Sequence, residues 1–95
     1  MDARTEMRRP QTFRVLLSHG QRRSFTEPGS TENISPHGLR VRTGRFWEPD
    51  ARLIVQSFGN ELWARARIVY CQTLPANTFA IGLELLARTG GWITR

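Results

Sequence analysis

The chain has 95 residues, enough for one small hydrophobic core and too few for two. Its composition is 39% hydrophobic, with five phenylalanines, three tryptophans and one tyrosine, which excludes a disordered chain. All 14 basic residues are arginine, and with eight acidic residues the formal net charge is +6. Because the arginine fork suits phosphate oxygens and the edge of guanine, this surface favours a nucleotide or nucleic-acid partner. A genome-wide arginine bias and a solvated face without a partner are the alternatives.

The sequence gives no sign of export or of a membrane segment. Cys71 is the one cysteine, so an internal disulfide is excluded, and a buried thiol is expected in its apolar run. No apolar stretch approaches the roughly 20 residues that span a bilayer. The amino terminus, MDARTEMRRP, lacks the apolar core of a signal peptide. We therefore predict a cytoplasmic protein, in which the sequon Asn33-Ile34-Ser35 has no meaning.

The first part of the chain divides into an arm and a first strand. Residues 1–11 hold Arg4, Arg8 and Arg9 with almost nothing apolar, and Pro10 opposes a helix, which predicts a flexible basic arm. A single domain over 12–95 follows. TFRVLLS predicts the first strand. The polar residues of 21–30 predict a loop, or a ragged edge strand around 24–26.

The remaining segments predict further strands. GLRVRT alternates, with Leu39 and Val41 inward, and the connection GRFWEPD separates it from RLIVQSF. A turn at Gly59-Asn60 leads into LWARARIVYCQ, a turn over 74–77 follows, and TFAIGLELL is the last strand. The end, ARTGGWITR, is expected to be irregular or one short helical turn. LWARARIVYCQ is the longest predicted strand, and alternation predicts that its inner face carries Leu62, Ala64, Ala66, Ile68 and Tyr70. Short strands at this spacing predict an all-β antiparallel barrel or sandwich.

Catalytic and metal-binding patterns are absent from the sequence. The two histidines, His19 and His37, fall in predicted turns, without a carboxylate pair or cysteine at metal-ligand spacing. There is no GxSxG nucleophile motif and no glycine-rich phosphate loop. We therefore predict a non-enzymatic protein with no metal and no cofactor.

The most specific pattern is Asn33-x-Ser35-x-x-Gly38, expected in one tight polar turn before an alternating strand. The amide both donates and accepts hydrogen bonds, and so does the hydroxyl. The glycine permits a positive φ or the close approach of a ligand to the backbone. In many turns such side chains bond only their own backbone, which is the structural alternative.

This pattern, followed by Leu-Arg-Val and placed after an arginine-rich arm, resembles the PilZ domain family. The resemblance runs from about Arg8 to Leu86 and includes NISPHGLRV, ARARIVY and the closing AIGLELL. It implies a six-stranded antiparallel β-barrel, and the two glycines of ARTGGWITR predict little or no helix at the carboxyl terminus. It also implies that the ligand is the bacterial second messenger cyclic di-GMP, which such domains bind through an Arg-x-x-x-Arg motif and an (Asp/Asn)-x-Ser-x-x-Gly motif.

The resemblance assigns roles to particular residues. Asn33, Ser35 and Gly38 match the second motif, so Asn33 and Ser35 are expected to hydrogen-bond a guanine or its phosphate while Gly38 keeps the turn's shape.

The first motif is irregular here. The Arg-x-x-x-Arg motif has three residues between its arginines. Arg4 and Arg8 have this spacing but lie several residues before the first strand, whereas Arg9 and Arg14 are separated by four residues. We expect Arg14, with Arg9 or Arg8, to clamp phosphate or guanine because Arg14 adjoins the first strand.

Two other functions remain open at this stage. A degenerate PilZ-like domain could act as a protein-interaction module that does not bind cyclic di-GMP, with Trp47, Trp63 or Trp92 as anchors. A small basic barrel could bind nucleic acid, although the paired aromatic signature of an RNA-recognition sheet is missing. We favour a stand-alone cyclic di-GMP receptor that relays the signal to an unidentified effector protein. A solvated outer face is predicted for Arg40, Arg42, Arg65 and Arg67.

Overall fold

A computed structural model describes residues 14–19, 26–35, 37–58 and 63–89. These residues form six strands: β1 Arg14–His19, β2 Thr26–Ser35, β3 Gly38–Thr43, β4 Arg52–Ser57, β5 Trp63–Leu74 and β6 Thr78–Arg88. The described ranges contain no helix, so none there is long and apolar enough to cross a membrane. The predicted arm, the turn at Gly59-Asn60 and the last six residues lie outside these ranges.

The strands close into an antiparallel barrel in the order β1-β2-β3-β6-β5-β4. This confirms the prediction of a six-stranded all-β barrel. Each described strand has two neighbours, so none of them is an edge strand along its whole length.

Period-two alternation fills the barrel interior with aliphatic side chains. Leu39 and Val41 point inward as predicted, while Arg40 and Arg42 lie on the outer face. The buried hydrophobic cluster comprises Val15, Leu17, Ile34, Leu39, Val41, Trp47, Leu53, Val55, Ala64, Ala66, Ile68, Ile81 and Leu83. Its burial is the main source of stability in a chain of this size.

The prediction of a loop over 21–30 is wrong for residues 26–30. Residues 26–30 belong to β2 and pair with β1, with Leu16 opposite Pro28. The pairing of β2 with β3 begins only at Gly29, so Pro28 has a hydrogen-bonding neighbour on one side alone. Proline is tolerated at such an edge position because a missing N–H costs little there.

Three one-residue bulges interrupt the strand pairing, at Glu32 in β2, Val69 in β5 and Leu86 in β6. The bulge at Glu32 lies between the pairs Thr31–Val41 and Asn33–Arg40, and the bulge at Val69 lies between the pairs of Ile68 and Tyr70 with β6. A bulge reverses the inward-outward phase of its strand. Tyr70 is consequently 40% exposed on the outer face, so its predicted inner position is wrong.

Gly38 lies close against the backbone of β6. A Cβ placed on Gly38 would lie 2.6 Å from the carbonyl oxygen of Leu83. That atom belongs to the backbone of the neighbouring strand, so it cannot move without disturbing the β3–β6 pairing.

We therefore expect Gly38→Ala to lower the free energy of unfolding by about 1 to 3 kcal/mol, because the added methyl forces the two strands apart. Urea denaturation followed by circular dichroism measures the change. Gly44→Ala is the matched control, since its added Cβ would meet nothing closer than 3.6 Å. Equal stability of the two variants would contradict the steric argument.

Candidate ligand-binding surface

One row of residues crosses the outer face of four strands. Asn33 on β2 is opposite Arg40 on β3, Arg40 is opposite Gly82 on β6, and Gly82 is opposite Tyr70 on β5. The bulges at Glu32 and Val69 bring Asn33 and Tyr70 onto this face. The row therefore depends on both register shifts.

The three residues of the second motif line a single groove along this row. Asn33 and Ser35 lie on β2, and Gly38 opens β3 directly opposite Ser35, so the motif spans a hairpin instead of one turn. Within the motif, the Ser35 hydroxyl makes only a long hydrogen bond to the Gly38 carbonyl, 3.4 Å. The groove has a volume of about 410 Å³ and is lined also by Leu39, Arg40, Val69, Tyr70, Gly82 and Leu83.

Arg40 connects three strands across the floor of this groove. Its Nε donates to Glu32 Oε1 at 2.8 Å, its Nη1 to the Tyr70 hydroxyl at 2.8 Å and its Nη2 to Gln72 Oε1 at 3.1 Å. The hydrogen bonds to Glu32 and then to Tyr70 raise the pKa of the Arg40 guanidinium above its ordinary value. The side chain is 29% exposed: Arg40 lies on the outer face as predicted, but protein acceptors on β2 and β5 hold its guanidinium.

Glu32 joins Arg40 to Arg42. Arg42 donates from Nε to Glu32 Oε2 at 3.0 Å, and its Nη2 lies 2.9 Å from the same oxygen. The hydrogen bond from Arg40 lowers the pKa of the Glu32 carboxyl against the opposing effect of burial, and the charge of Arg42 adds to the lowering. One carboxylate thus partly neutralises two arginines on this face.

Tyr70 lies directly over Gly82. A Cβ on Gly82 would collide with the Tyr70 ring at Cε2, Cζ and Cδ2, so the glycine provides the space that the ring occupies. The Arg40 Cζ is 5.8 Å from the ring centroid, within reach of a cation–π interaction.

Arg14 lies in a second groove on the same outer face. Arg14 is opposite Ser30, and Ser30 is opposite Arg42, so one row joins β1, β2 and β3. This groove has a volume of about 430 Å³ and is lined by Arg14, Pro28, Gly29, Ser30, Arg42, Thr43, Gly44 and Thr78. The Arg14 guanidinium carbon lies 5.2 Å from the centre of the Phe58 ring.

The structure thus brings Asn33, Ser35 and Gly38 together in one groove. It places Arg14 in the second groove. The ion pairs of Glu32 with Arg40 and Arg42 link the two grooves, because Arg40 lines the first and Arg42 lines the second. Arg8 and Arg9 lie outside the described residues. Sequence analysis missed the roles of Arg40 and Tyr70. Alternation did place Arg40 on the outer face, but the bulge at Val69 has no sequence signal strong enough to predict.

Other parts of the described surface lack these features. A larger groove of about 670 Å³ lies on β1, β2, β4 and β5 and contains none of the residues predicted to bind cyclic di-GMP. Trp63 lines it and is 42% exposed, whereas Trp47 is 3% exposed, which leaves Trp47 unsuited to anchoring a partner. Trp92 lies outside the described residues. Within the described ranges no group of three or more histidine, cysteine or acidic residues could hold a metal ion.

The Glu32 ion pairs predict a pH-dependent contribution to stability. Because the carboxyl pKa is lowered in the folded state, the stabilisation is present above its ordinary value of 4.5 and is lost as the pH falls through the folded-state value. Glu32→Gln is expected to be less stable than the wild type at neutral pH, and the difference should shrink at about pH 3.5. Urea titrations at both pH values measure it, and a difference unchanged by pH would contradict the ion pairing.

Comparison with known proteins identifies the family. The family model described as the PilZ domain matches residues 2–89, which include every described strand. No curated protein and no solved structure matches the chain. The family match covers the motif residues Asn33, Ser35 and Gly38, which the barrel gathers in one outer groove. The chain belongs to the PilZ domain family.

Proposed function

We propose that this chain is a cyclic di-GMP receptor, and that it acts by binding and not by catalysis. PilZ domains form a family of cyclic di-GMP receptors, and this chain matches the family over residues 2–89. The observation that carries the proposal is the groove in which Asn33, Ser35 and Gly38 meet beside Arg40. Those three residues are the ones that the motif requires, and their side of the barrel also bears Arg14 and Arg42.

The ligand's chemistry fits the groups on this face. Cyclic di-GMP presents two phosphodiester anions and two guanine edges, and arginine can pair with both kinds of group. Charge-assisted hydrogen bonds contribute about 1.5 to 3 kcal/mol each. A micromolar dissociation constant represents a net binding free energy of roughly 8 kcal/mol, which remains after the entropic cost of ordering the site. Two or three such hydrogen bonds supply much of it.

The roles follow from side-chain chemistry. The Asn33 amide both donates and accepts, so it can match a guanine edge, and the Ser35 hydroxyl can bond a guanine or its phosphate. Neither side chain is buried, and Ser35 is committed only to the long bond with Gly38. Gly38 keeps β3 close to β6 and thereby fixes the floor of the groove.

Arg14, with Arg9 or Arg8, completes the proposed site. Arg14 is exposed at the start of β1, and Arg9 precedes it by five positions, which places it within about 17 Å of Arg14 along the chain. We propose that the arm folds over the bound ligand. The domain would then relay binding to an effector protein in the cytoplasm, without a cofactor.

Titration calorimetry of the wild type with cyclic di-GMP tests the proposal. We expect saturable binding with a fixed stoichiometry and no binding of cyclic di-AMP. Asn33→Ala, Ser35→Ala and Arg14→Ala should each weaken binding by about tenfold or more, because each removes a hydrogen bond to a charged or base group.

Arg52→Ala is the control, since Arg52 is exposed on β4, away from both grooves. Equal binding by the wild type and Arg14→Ala would remove Arg14 from the site. If the wild type ignores the ligand at millimolar concentration, the receptor function is wrong and the protein-interaction module becomes the better explanation. Steeply salt-dependent binding of unrelated nucleic acids would instead favour a nucleic-acid-binding barrel.

A further inference from the structure

We propose that the open end of β5, residues 70–74, is an interface at which a second copy of this chain adds its own β5 in the antiparallel direction. One sheet would then run through both barrels. This association of the chain with itself does not depend on cyclic di-GMP. Three observations support it: the unpaired side of the backbone, the absence of charge along the strand, and the contrast with the open end of β2.

One side of β5 loses its neighbour partway along the strand. Residues 70–74 pair with β6, whereas the pairing of β5 with β4 ends at Arg67. On the β4 side the backbone hydrogen bonds continue only to Ile68, whose N–H donates to the Ala51 carbonyl oxygen at 2.9 Å. Within the described ranges no backbone hydrogen bond forms on that side over 70–74. An extended strand with one open side is the structure that strand addition requires.

The outer-face side chains of this segment leave the open side uncovered. The Tyr70 ring lies over Gly82 of β6, and both the Tyr70 hydroxyl and Gln72 Oε1 accept hydrogen bonds from Arg40 on β3. Both side chains therefore reach across β6, away from the side where β4 has ended. Val69, at the beginning of the open end, is 49% exposed and adds apolar surface beside it.

The absence of charge selects a second copy as the partner. Residues 68–83 contain no acidic residue, no arginine and no histidine, although the whole chain has a net charge of +6. Arg67, next to this stretch, already pairs with Asp50 and Glu84. Most of the surface of so basic a chain repels an identical chain, but the open end can meet its own copy without placing like charges together.

The open end of β2 shows what protection against strand addition looks like in this barrel. Over 26–28, β2 pairs with β1 and not with β3. This end carries Glu27 and Pro28, a charge and a residue without an N–H, which are two of the usual means by which proteins block an exposed strand. Residues 70–74 contain neither a charge nor a proline.

Two-fold symmetry determines the pairing. If 70–74 overlaps fully with the same residues of the second copy, Gln72 lies opposite Gln72 and Tyr70 lies opposite Leu74 of the second copy. Directly opposed residues of antiparallel strands have Cα atoms about 4.5 to 5.5 Å apart. Each copy contributes the one open side of its β5, so the assembly closes as a dimer.

Thr73→Lys tests the interface, because Thr73 is exposed on the open end and a lysine there would be desolvated against the partner strand. Sedimentation equilibrium without cyclic di-GMP, over a concentration series up to millimolar, should show a monomer–dimer equilibrium for the wild type. We expect Thr73→Lys to raise the dimer dissociation constant at least about tenfold. Thr26→Lys is the matched control, since it adds the same charge to an exposed threonine at the protected end of β2 and should leave the constant unchanged.

A disulfide cross-link tests the pairing itself. In a Cys71→Ser background, Gln72→Cys should form a disulfide between two copies on mild oxidation, because opposed Cα atoms at this distance suit a disulfide. Thr26→Cys in the same background should stay uncross-linked. A monomer at every concentration overturns the proposal, and so does a dimer whose dissociation constant Thr73→Lys leaves unchanged. Neither result bears on the receptor function, because both measurements are made without the ligand.

Discussion

The extra residue in β2 at Glu32 is the constraint on which the outer face depends. It allows Thr31 and Ile34 to stay in the core while both Glu32 and Asn33 turn outward. Without it, strict alternation would put either the acid or the amide inside the barrel, where an unpaired polar side chain is costly. The bulge at Val69 has the same effect on β5, because it brings Tyr70 outward opposite Gly82. Two local irregularities therefore assemble a polar surface on a regular apolar barrel.

Three carboxylates hold the arginine side chains of this surface in place through ion pairs. Glu32 holds Arg40 and Arg42, while on the neighbouring row Arg67 bridges Glu84 and Asp50. The pairs of Arg67 with the exposed acids Asp50 and Glu84 contribute little to stability, and their effect is to fix the direction of a long side chain. An arginine with three acceptors has lost its rotamer entropy before a ligand arrives, which reduces the cost of binding.

The sequence was sufficient to predict the architecture and part of the site. Alternation in GLRVRT and WARARIV identified inward residues such as Leu39, Ala66 and Ile68, because one face of each strand must be apolar. The motif residues Asn33, Ser35 and Gly38 were recognised from their spacing, and the hairpin brings them into one groove. Sequence reasoning failed at 26–30, where pairing with β1 outweighs the turn preference of Pro28 and Gly29. It also failed at Tyr70, because a bulge depends on the length of the partner strand and not on local composition.

Closure of the barrel limits how another protein can recognise it. Every described strand has a hydrogen-bonded neighbour on both sides, and peptide groups are paired on one side alone only where a strand extends past its neighbour, as at 26–28 of β2 and 70–74 of β5. A partner could add a strand of its own only at such ends, so recognition of the rest of the described barrel proceeds through side chains. A messenger bound on the outer face would change the set of side chains, bases and phosphates that a partner meets, while the backbone beneath stays the same.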